Sequence, residues 1–357
     1  MIRGQDGFEA RAASVGAVMG LLVLGLGLGT AGCARGDASA QLPPGRGPAT
    51  APLVVRVLDV GQGDAIYIEN GGSRLLVDGG PDRAVMGRKL DALGLHDDTL
   101  DVVVLTHEHA DHASGLRAVF EQRRHITVRY FFENEDPYTG YGLAELRDSA
   151  SARAARGELV LRDTDDPCAN GRPTCTINLR GGARLRILRP PPAGRGGVPA
   201  GNPNNRSVAL KLVAPDSAAF TMWLAGDAQR QELTWFDRTG YARDPGMRVD
   251  VLKADHHGSC NCITARYLDR THPRYVVMSV GARNSFGHVH EQAKTLLRAR
   301  EIPWYRTDRN GDIVIRVPVA SAGTKARPSF TITPTRGTPS ADGTTDRFST
   351  QPSCRQP

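Results

Sequence analysis

The sequence predicts an α+β domain in which two mixed β-sheets pack against each other and helices cover their outer faces. Short apolar, β-branched segments come first in each half of the domain, and strand–helix alternation follows them. About 265 residues lie between two segments of low complexity, a length that suits one domain with a large core. The same order of elements in both halves is what predicts the layered architecture.

The first half begins with three predicted strands near 53–59, 64–69 and 73–78, which Gly-Gln-Gly and Asn-Gly-Gly turns connect. The elements predicted after them are a helix near 83–94, a strand near 101–106, a helix near 112–122, a strand near 127–132 and a helix near 141–156. The Gly-Gln-Gly turn is not followed by a helix with a third glycine. A dinucleotide-binding loop is therefore excluded.

The second half has the same order of strands followed by strand–helix units. Its predicted elements are strands near 158–162, 176–179, 183–188, 206–213 and 219–225, a helix near 228–239, a strand near 248–253, a helix near 263–270, a strand near 275–280, a helix near 289–300, and strands near 303–306 and 311–317. No internal repeat of fixed period accompanies this order.

The most informative local pattern is the His-Glu-His-Ala-Asp-His sequence at 107–112, directly after the apolar strand 101–106. On extended backbone the side chains of His107, His109 and Asp111 project to one side. His112 then begins the next helix and turns toward a second position. Imidazoles and carboxylates suit Zn, Mn or Fe, so the spacing predicts most of a two-metal site.

Polar residues also end three other predicted strands. Asp78 follows Leu-Leu-Val and can accept a hydrogen bond from a ligand histidine, which would set its tautomer. Asp227 ends the strand Trp-Leu-Ala-Gly-Asp and can bridge two metals. A strand ending in Lys253 leads to the pair His256 and His257. The segment 284–290 carries two more histidines at a strand–helix junction.

The two ends of the chain differ in composition from the domain at 52–318. Residues 1–32 combine arginines, an apolar run and Thr-Ala-Gly, and Cys33 follows, which together predict a lipoprotein-type signal peptide. Secretion without lipidation of Cys33 is the open alternative. Residues 33–51 are predicted to be a flexible tether and residues 319–357 a disordered tail. The expected location is the outer face of a bacterial cytoplasmic membrane.

Charge and cysteine content add weaker constraints. The net charge is +7, which favours anionic partners such as nucleic acid or a phospholipid surface. Cys168 and Cys175 flank an Asn-Gly-Arg-Pro turn and can close a small hairpin disulfide. No dense basic run with interleaved aromatic residues is present, so charge alone does not identify the partner.

Eight motifs follow one another along the chain in the order typical of the metallo-β-lactamase-fold domain at the end of the competence protein ComEC, which this sequence resembles. The resemblance covers about residues 54–317, essentially the whole predicted domain. The motifs are 59–65 (DVGQGDA), 75–80 (LLVDGG), 107–112 (HEHADH), 204–207 (NNRS), 225–227 (AGD), 253–259 (KADHHGS), 281–284 (GARN) and 305–311 (YRTDRNG).

This resemblance implies a four-layer αββα sandwich that holds two divalent metal ions, Zn or Mn, at one edge of its sheets. Carried over residue by residue, His107 and His109 would bind the first ion. Asp111 and His112 would bind the second ion, and Asp227 would bridge the two.

The resemblance also implies further ligands and catalytic groups. His257 would complete the second site, with His256 as the open alternative. The first site lacks the histidine that the superfamily commonly places shortly before the bridging aspartate, and Asn205 or water would substitute for it. His288 would act as a general acid or contact a phosphate. Lys253 would help to stabilise developing charge.

The implied function is an extracytoplasmic metal-dependent hydrolase, a phosphodiesterase or nuclease that cleaves DNA through a metal-bound hydroxide oriented by Asp111 or Asp227. Two alternatives stay open: a hydrolase of another ester, such as a choline-phosphate ester, a lactone or a β-lactam, and a non-catalytic DNA-uptake accessory. The expected partners are DNA or another phosphodiester, and the membrane through a lipid at Cys33. No obligate protein partner is inferred.

Overall fold

Two β-sheets form the middle of the domain in the computed structural model, which describes residues 39–42, 51–121, 124–134, 140, 142–168, 173–192, 194, 198–199, 201–215, 220–239, 247–319 and 330–338. The strands are β1 (Ser39–Gln41), β2 (Leu53–Val57), β3 (Ile66–Asn70), β4 (Ser73–Val77), β5 (Thr99–Val104), β6 (Thr127–Glu133), β7 (Val160–Asp163), β8 (Thr174–Asn178), β9 (Arg184–Leu188), β10 (Ala209–Val213), β11 (Thr221–Leu224), β12 (Val251–Lys253), β13 (Tyr275–Met278), β14 (Trp304–Arg306), β15 (Ile313–Val317) and β16 (Thr331–Pro334). The α-helices are α1 (Arg83–Ala92), α2 (Ala110–Ala113), α3 (Leu143–Ala155), α4 (Arg230–Thr239), α5 (Ala265–Thr271), α6 (Glu291–Arg298) and α7 (Thr307–Asn310).

Each sheet joins an antiparallel part to a parallel part. The first sheet has the order β16-β15-β2-β3-β4-β5-β6-β7, and its pairs are antiparallel as far as β4 and parallel from β4 to β7. The second sheet has the order β1-β8-β9-β10-β11-β12-β13-β14, antiparallel from β8 to β11 and parallel from β11 to β14. The predicted mixed character of both sheets is confirmed.

Three apolar clusters separate the four layers. One lies between the sheets and includes Val102 of β5 and Leu210 of β10. A second packs Val103 of β5 against α1 and α3, and a third packs Trp223 of β11 against helices α4 to α6. Adjacent residues of β5 thus face opposite sides, as the two-residue period of a strand requires. Both faces are buried, which explains the continuous apolar run from 102 to 105.

The helix predicted at 112–122 is replaced by α2 and a 3₁₀ helix, Ser114–Phe120. The backbone partners explain this difference. The amide of Gly115 donates to the carbonyl of Gly80 at 2.8 Å, and the carbonyls of Asp111 and His112 accept from Asp64 and Gly79. The α-helical bonds that begin at 111 and 112 are therefore lost to the neighbouring loops. A Cβ on Gly115 would lie only 1.8 Å from the carbonyl oxygen of Gly79, so this approach requires glycine.

Two strands lie in segments that we predicted to be irregular. β1 falls within the predicted tether and pairs with β8, and β16 falls within the predicted disordered tail and pairs with β15. The prediction was wrong for these residues because backbone pairing to an existing sheet edge orders a segment that lacks apolar periodicity. The other residues of the tether and tail lie outside the described residues, apart from 42, 51, 319, 330 and 335–338.

The disulfide allowed by the sequence is present, since Cys168 and Cys175 are bonded to each other. Among the residues that the structure describes, no helix combines the length and apolar composition that crossing a bilayer requires. The predicted signal peptide and Cys33 lie outside the described residues.

Candidate metal centre

The loop after β5 carries four of the predicted ligands. His107 is buried, and its Nε2 lies 3.1 Å from Nδ1 of His109. Asp111 and His112 lie on the single turn of α2. Thr106 fixes the start of this loop, because its amide and hydroxyl donate to the two oxygens of Asp78 at 2.8 and 2.7 Å.

Asp227 enters the same place from the end of β11. It follows Gly226, whose φ is 53°. A Cβ on Gly226 would lie 2.6 Å from the hydroxyl of Thr106, so glycine lets the two loops approach. Oδ1 of Asp227 lies 3.2 Å from Nε2 of His112, and Oδ2 lies 3.8 Å from Nε2 of His107. The carboxylate therefore faces both ends of the histidine loop.

The histidine pair after β12 adopts an unusual backbone. Both His256 and His257 have left-handed dihedrals, with φ of 47° and 55°. Such conformations cost of order 1–3 kcal/mol for residues other than glycine and cluster at functional sites. Nε2 of His257 lies 3.2 Å from Asp111 and 3.4 Å from Asp227. His256 is more distant, with its Nε2 3.8 Å from Asp227.

These side chains form two ligand groups that share one carboxylate. Within each group the candidate ligand atoms lie within 4.8 Å of one another. The first group is His107, His109 and Asp227, and the second is Asp111, His112, Asp227 and His257. The two groups have the composition predicted from the sequence, with His257 rather than His256 in the second.

The residues fit divalent metal ions. Nε2 of His112 and Oδ1 of Asp227 are buried and, within the described part of the chain, neither makes a well-directed hydrogen bond. Unsatisfied buried polar atoms are costly, and a cation between them would satisfy both. Imidazole nitrogens and carboxylate oxygens are the donors that Zn and Mn accept. The His/Asp cluster is thus able to bind metal ions.

Hydrogen bonds at Nδ1 set the tautomers of two ligand histidines. Nδ1 of His112 lies 2.8 Å from Oδ2 of Asp78, and Nδ1 of His257 lies 2.9 Å from the carbonyl oxygen of Ser279. Both Nδ1 atoms must donate to these acceptors, which leaves both Nε2 atoms directed at the carboxylates. The predicted supporting role of Asp78 agrees with this geometry.

The ionisable groups of the cluster shift one another's pKa values. Burial opposes ionisation, yet the carboxylate of Asp227 raises the pKa of both His112 and His257 well above the usual value. In turn, these imidazoles hold the pKa of Asp227 well below its usual range despite burial. Burial and the neighbouring His112 lower the pKa of His107. In the metal-free protein, His112 and His257 of the second ligand group therefore hold their protons, whereas His107 is neutral.

Two predicted site residues lie elsewhere. Lys253 is fully buried beneath the site, with its Nζ 2.6 Å from Asp64, so it does not face a substrate. Asn205 is also fully buried and donates to Gln229. Its neighbour Asn204 lines the pocket instead. The two asparagines are adjacent in the turn 203–206, and the sequence alone did not indicate which of them lines the pocket.

An open pocket of about 340 Å³ lies above the ligand groups. It is lined by Gln62, His109, Ala110, Asp111, Asn204, Asp227, His256, His257, Phe286 and His288. The prediction for His288 placed it at the site, and it does line this pocket. Gln62 and Phe286 were not predicted as site residues, although Gln62 belongs to the DVGQGDA motif. The arrangement can hold a small polar group against both ligand groups.

A model of the metallo-β-lactamase superfamily matches residues 58–167, which include the histidine loop. The chain has the metallo-β-lactamase fold. The match and the two mixed sheets flanked by helices agree with the predicted αββα sandwich. Proteins of this fold are typically metal-dependent hydrolases, and the ligand groups of this metallo-β-lactamase-fold domain are consistent with that chemistry.

Two curated relatives are competence proteins. The chain is 25% identical over 292 residues to ComE operon protein 3 of Bacillus subtilis (strain 168), covering 73% of this chain and 33% of the relative. It is 26% identical over 277 residues to Competence protein ComA of Neisseria gonorrhoeae, covering 76% of this chain and 33% of the relative. The resemblance to ComEC-like proteins is confirmed, and it spans about one third of each relative's length.

Among solved structures, the chain is similar to the metallo-β-lactamase-fold protein YhfI from Bacillus subtilis. The TM-score is 0.44 at 14% identity, over 69% of this chain and 93% of that chain.

Proposed function

We propose that this protein is a metal-dependent phosphodiesterase that cleaves DNA. The observation that carries the proposal is the pair of ligand groups that share Asp227 beneath an open pocket. Two-metal sites of this kind are typical of enzymes that displace an oxygen at phosphorus. The net charge of +7 favours a polyanionic substrate, and the curated relatives are named as competence proteins.

Divalent ions in the two ligand groups would lower the pKa of a bound water to about 7 and would stabilise charge on a phosphoryl oxygen. The chain itself supplies the orientation. Asp111 and Asp227 both line the pocket, and each can accept a hydrogen bond from the attacking water. Their pKa values are lowered by His112 and His257 despite burial, so both carboxylates are ionised acceptors at neutral pH.

The orientation of His288 follows from its neighbours. Oε1 of Gln62 accepts from the amide of Gly281 at 3.1 Å, which leaves Nε2 of Gln62 to donate to Nδ1 of His288 at 3.3 Å. The proton of His288 is therefore on Nε2. Burial and the nearby imidazole of His257 lower the pKa of His288 to about 2. We infer a neutral hydrogen-bond donor to a phosphoryl oxygen, rather than a general acid.

The proposed location comes from the sequence alone. We propose export across the cytoplasmic membrane, with Cys33 as the site of a lipid anchor and DNA or another phosphodiester as the partner. Mass spectrometry of the protein purified from bacterial membranes and from the culture medium tests this. A mature chain that begins at lipid-modified Cys33 would support the anchor, and an unmodified chain found outside the cell would support simple secretion.

A cleavage assay on the full chain tests the function. The full chain is needed because β1 and β16 pair with the sheets. The protein is loaded with Zn or Mn and incubated with single- and double-stranded DNA beside Asp111→Asn. The matched control is Asp148→Asn, which changes an exposed aspartate on α3.

We expect cleavage by the wild type and Asp148→Asn, and loss of more than about 100-fold in Asp111→Asn. Bound metal with cleavage of lactones or other small esters but not DNA would favour another hydrolase. Metal-independent DNA binding without any cleavage would favour an uptake accessory. Absence of bound metal would contradict the central claim.

A further inference from the structure

Phe286 is an exposed aromatic residue on the wall of the candidate active site. Its side chain is 58% exposed, the largest exposure among the large apolar residues that are described. It lines the same pocket as Asp111, Asp227 and His257. Burying a phenylalanine ring removes apolar surface from water, which is favourable, and this ring lies where a bound substrate can cover it. A substrate that covers the ring would recover that free energy.

The ring is held in a defined orientation. It lies nearly parallel to the imidazole of His288, with an interplanar angle of 21° and ring centroids 5.7 Å apart. This is an offset stack, and at 58% exposure much of the ring remains accessible to a ligand.

The loop that carries this pair is fixed by its own hydrogen bonds. Asn284 accepts from the amide of His288 at 2.7 Å and donates to the carbonyl oxygens of Gly281 and His288 at 2.9 and 2.6 Å. The ring of His290 donates to the carbonyl oxygen of Phe286 at 3.2 Å. The aromatic surface is therefore preorganised, and little ordering accompanies ligand binding.

We propose that Phe286 is a base-stacking residue that binds the nucleobase next to the scissile phosphodiester. This proposal rests on the proposed phosphodiesterase function and adds its substrate class, an unpaired nucleotide. Every nucleobase offers a flat π-face, and stacking on an aromatic residue recognises single strands without reading their sequence. Arg283 is exposed on the same loop, where its charge favours a neighbouring phosphate and disfavours a cationic headgroup.

The geometry also predicts a preference between single and double strands. The bases of a duplex are already stacked on each other, so an unpaired base must be available to cover Phe286. Single-stranded DNA or a frayed strand end meets this condition without an unpairing cost. We therefore expect single strands to be cleaved faster than blunt duplexes.

Three esters with one leaving group test the proposal on the metal-loaded full chain. They are thymidine 5′-(p-nitrophenyl phosphate), methyl p-nitrophenyl phosphate and p-nitrophenylphosphorylcholine. The variants are Phe286→Ala and Phe286→Trp, and the control is Val160→Ala, which removes another exposed apolar side chain on β7. Values of kcat and KM are measured for each ester.

We expect Phe286→Ala to lower kcat/KM for the thymidine ester by at least about fivefold, mainly through KM, and to leave the methyl ester within about twofold. Phe286→Trp should keep kcat/KM for the thymidine ester at the wild-type value, and Val160→Ala should leave kcat/KM unchanged for all three esters. An equal loss on the thymidine and methyl esters would overturn the proposal, because it would show a structural role. A loss confined to the phosphorylcholine ester would overturn it in favour of a cation–π contact. Failure of the wild type on all three esters and on DNA would instead defeat the proposed function, and the stacking role with it.

Discussion

The ammonium of Lys253 lies 2.6 Å from Oδ2 of Asp64, and both side chains are buried beneath the ligand groups. The other oxygen of Asp64 lies 3.5 Å from Nδ1 of His257. Burial disfavours both charges, yet Lys253 lowers the pKa of Asp64 to about 2, so the pair remains ionic. This ion pair connects the DVGQGDA motif to the strand that leads to the histidine pair.

The first prediction concerns the stability of this pair. Lys253→Met removes the nearest cation from the buried carboxylate of Asp64. Breaking a buried ion pair from one side costs about 3–5 kcal/mol, so we expect a loss of that size in the free energy of unfolding. Urea denaturation of the metal-free protein measures it.

The matched control for this prediction is the double variant Lys253→Met, Asp64→Asn. Because it removes both charges, it should recover at least about 1 kcal/mol relative to Lys253→Met alone. Equal stability of the single and double variants would contradict the role given to the unpaired charge.

The second prediction concerns the hydrogen bond behind His112. Asp78→Asn presents an amide to Nδ1 of His112 and disturbs the tautomer that directs Nε2 at the metal position. Partners of this kind typically contribute 10–100-fold to metal affinity, so we expect a loss of about that size. Competition with a chromophoric chelator measures the affinity for Zn.

Asp82→Asn is the control for Asp78→Asn, because it makes the same chemical change four residues away. Asp82 accepts from the amide of Val85 at the start of α1, and asparagine caps helices equally well. We expect no change in Zn affinity. A similar loss in both variants would show that the effect is not specific to the bond with His112.

Most of the candidate site could be predicted because its residues lie in local patterns. The loop His107 to His112 combines a strand-derived period of two with the start of a helix, and both are visible in the sequence. Asp227 and the histidine pair each end a short apolar strand, and neighbouring parallel strands bring such ends to one edge of the sheet.

The remainder depends on contacts between distant parts of the chain. Gln62 meets His288 across 226 residues, and nothing in the local sequence of either indicates the other. Lys253 has the charge expected of a catalytic cation, yet it forms an ion pair with Asp64 beneath the site. A single turn determines that Asn204, and not Asn205, lines the pocket. The segment of β16 lacks apolar periodicity, and it forms a strand because the edge of β15 provides its backbone hydrogen bonds.

The third prediction concerns the pH dependence of metal binding. Asp227 raises the pKa of His112 and His257 in the metal-free protein, so both imidazoles keep their protons to higher pH. A metal must displace these protons. We expect affinity to fall as pH is lowered, by up to about tenfold per pH unit for each proton displaced. Calorimetric titration with Zn in buffers of different ionisation enthalpy counts the protons, and release of none would contradict the pKa directions.

The last prediction separates the two ligand groups by metal content. Asp227 belongs to both groups, whereas Asp111 belongs only to the second. We therefore expect Asp227→Asn to lose both ions and Asp111→Asn to retain the ion held by His107 and His109. Metal analysis after gel filtration measures the stoichiometry, with Asp148→Asn as the control that keeps wild-type content. Retention of two ions by Asp227→Asn would exclude a shared carboxylate, because the asparagine side chain has a single, uncharged oxygen, whereas the bridge requires two oxygens that share a negative charge.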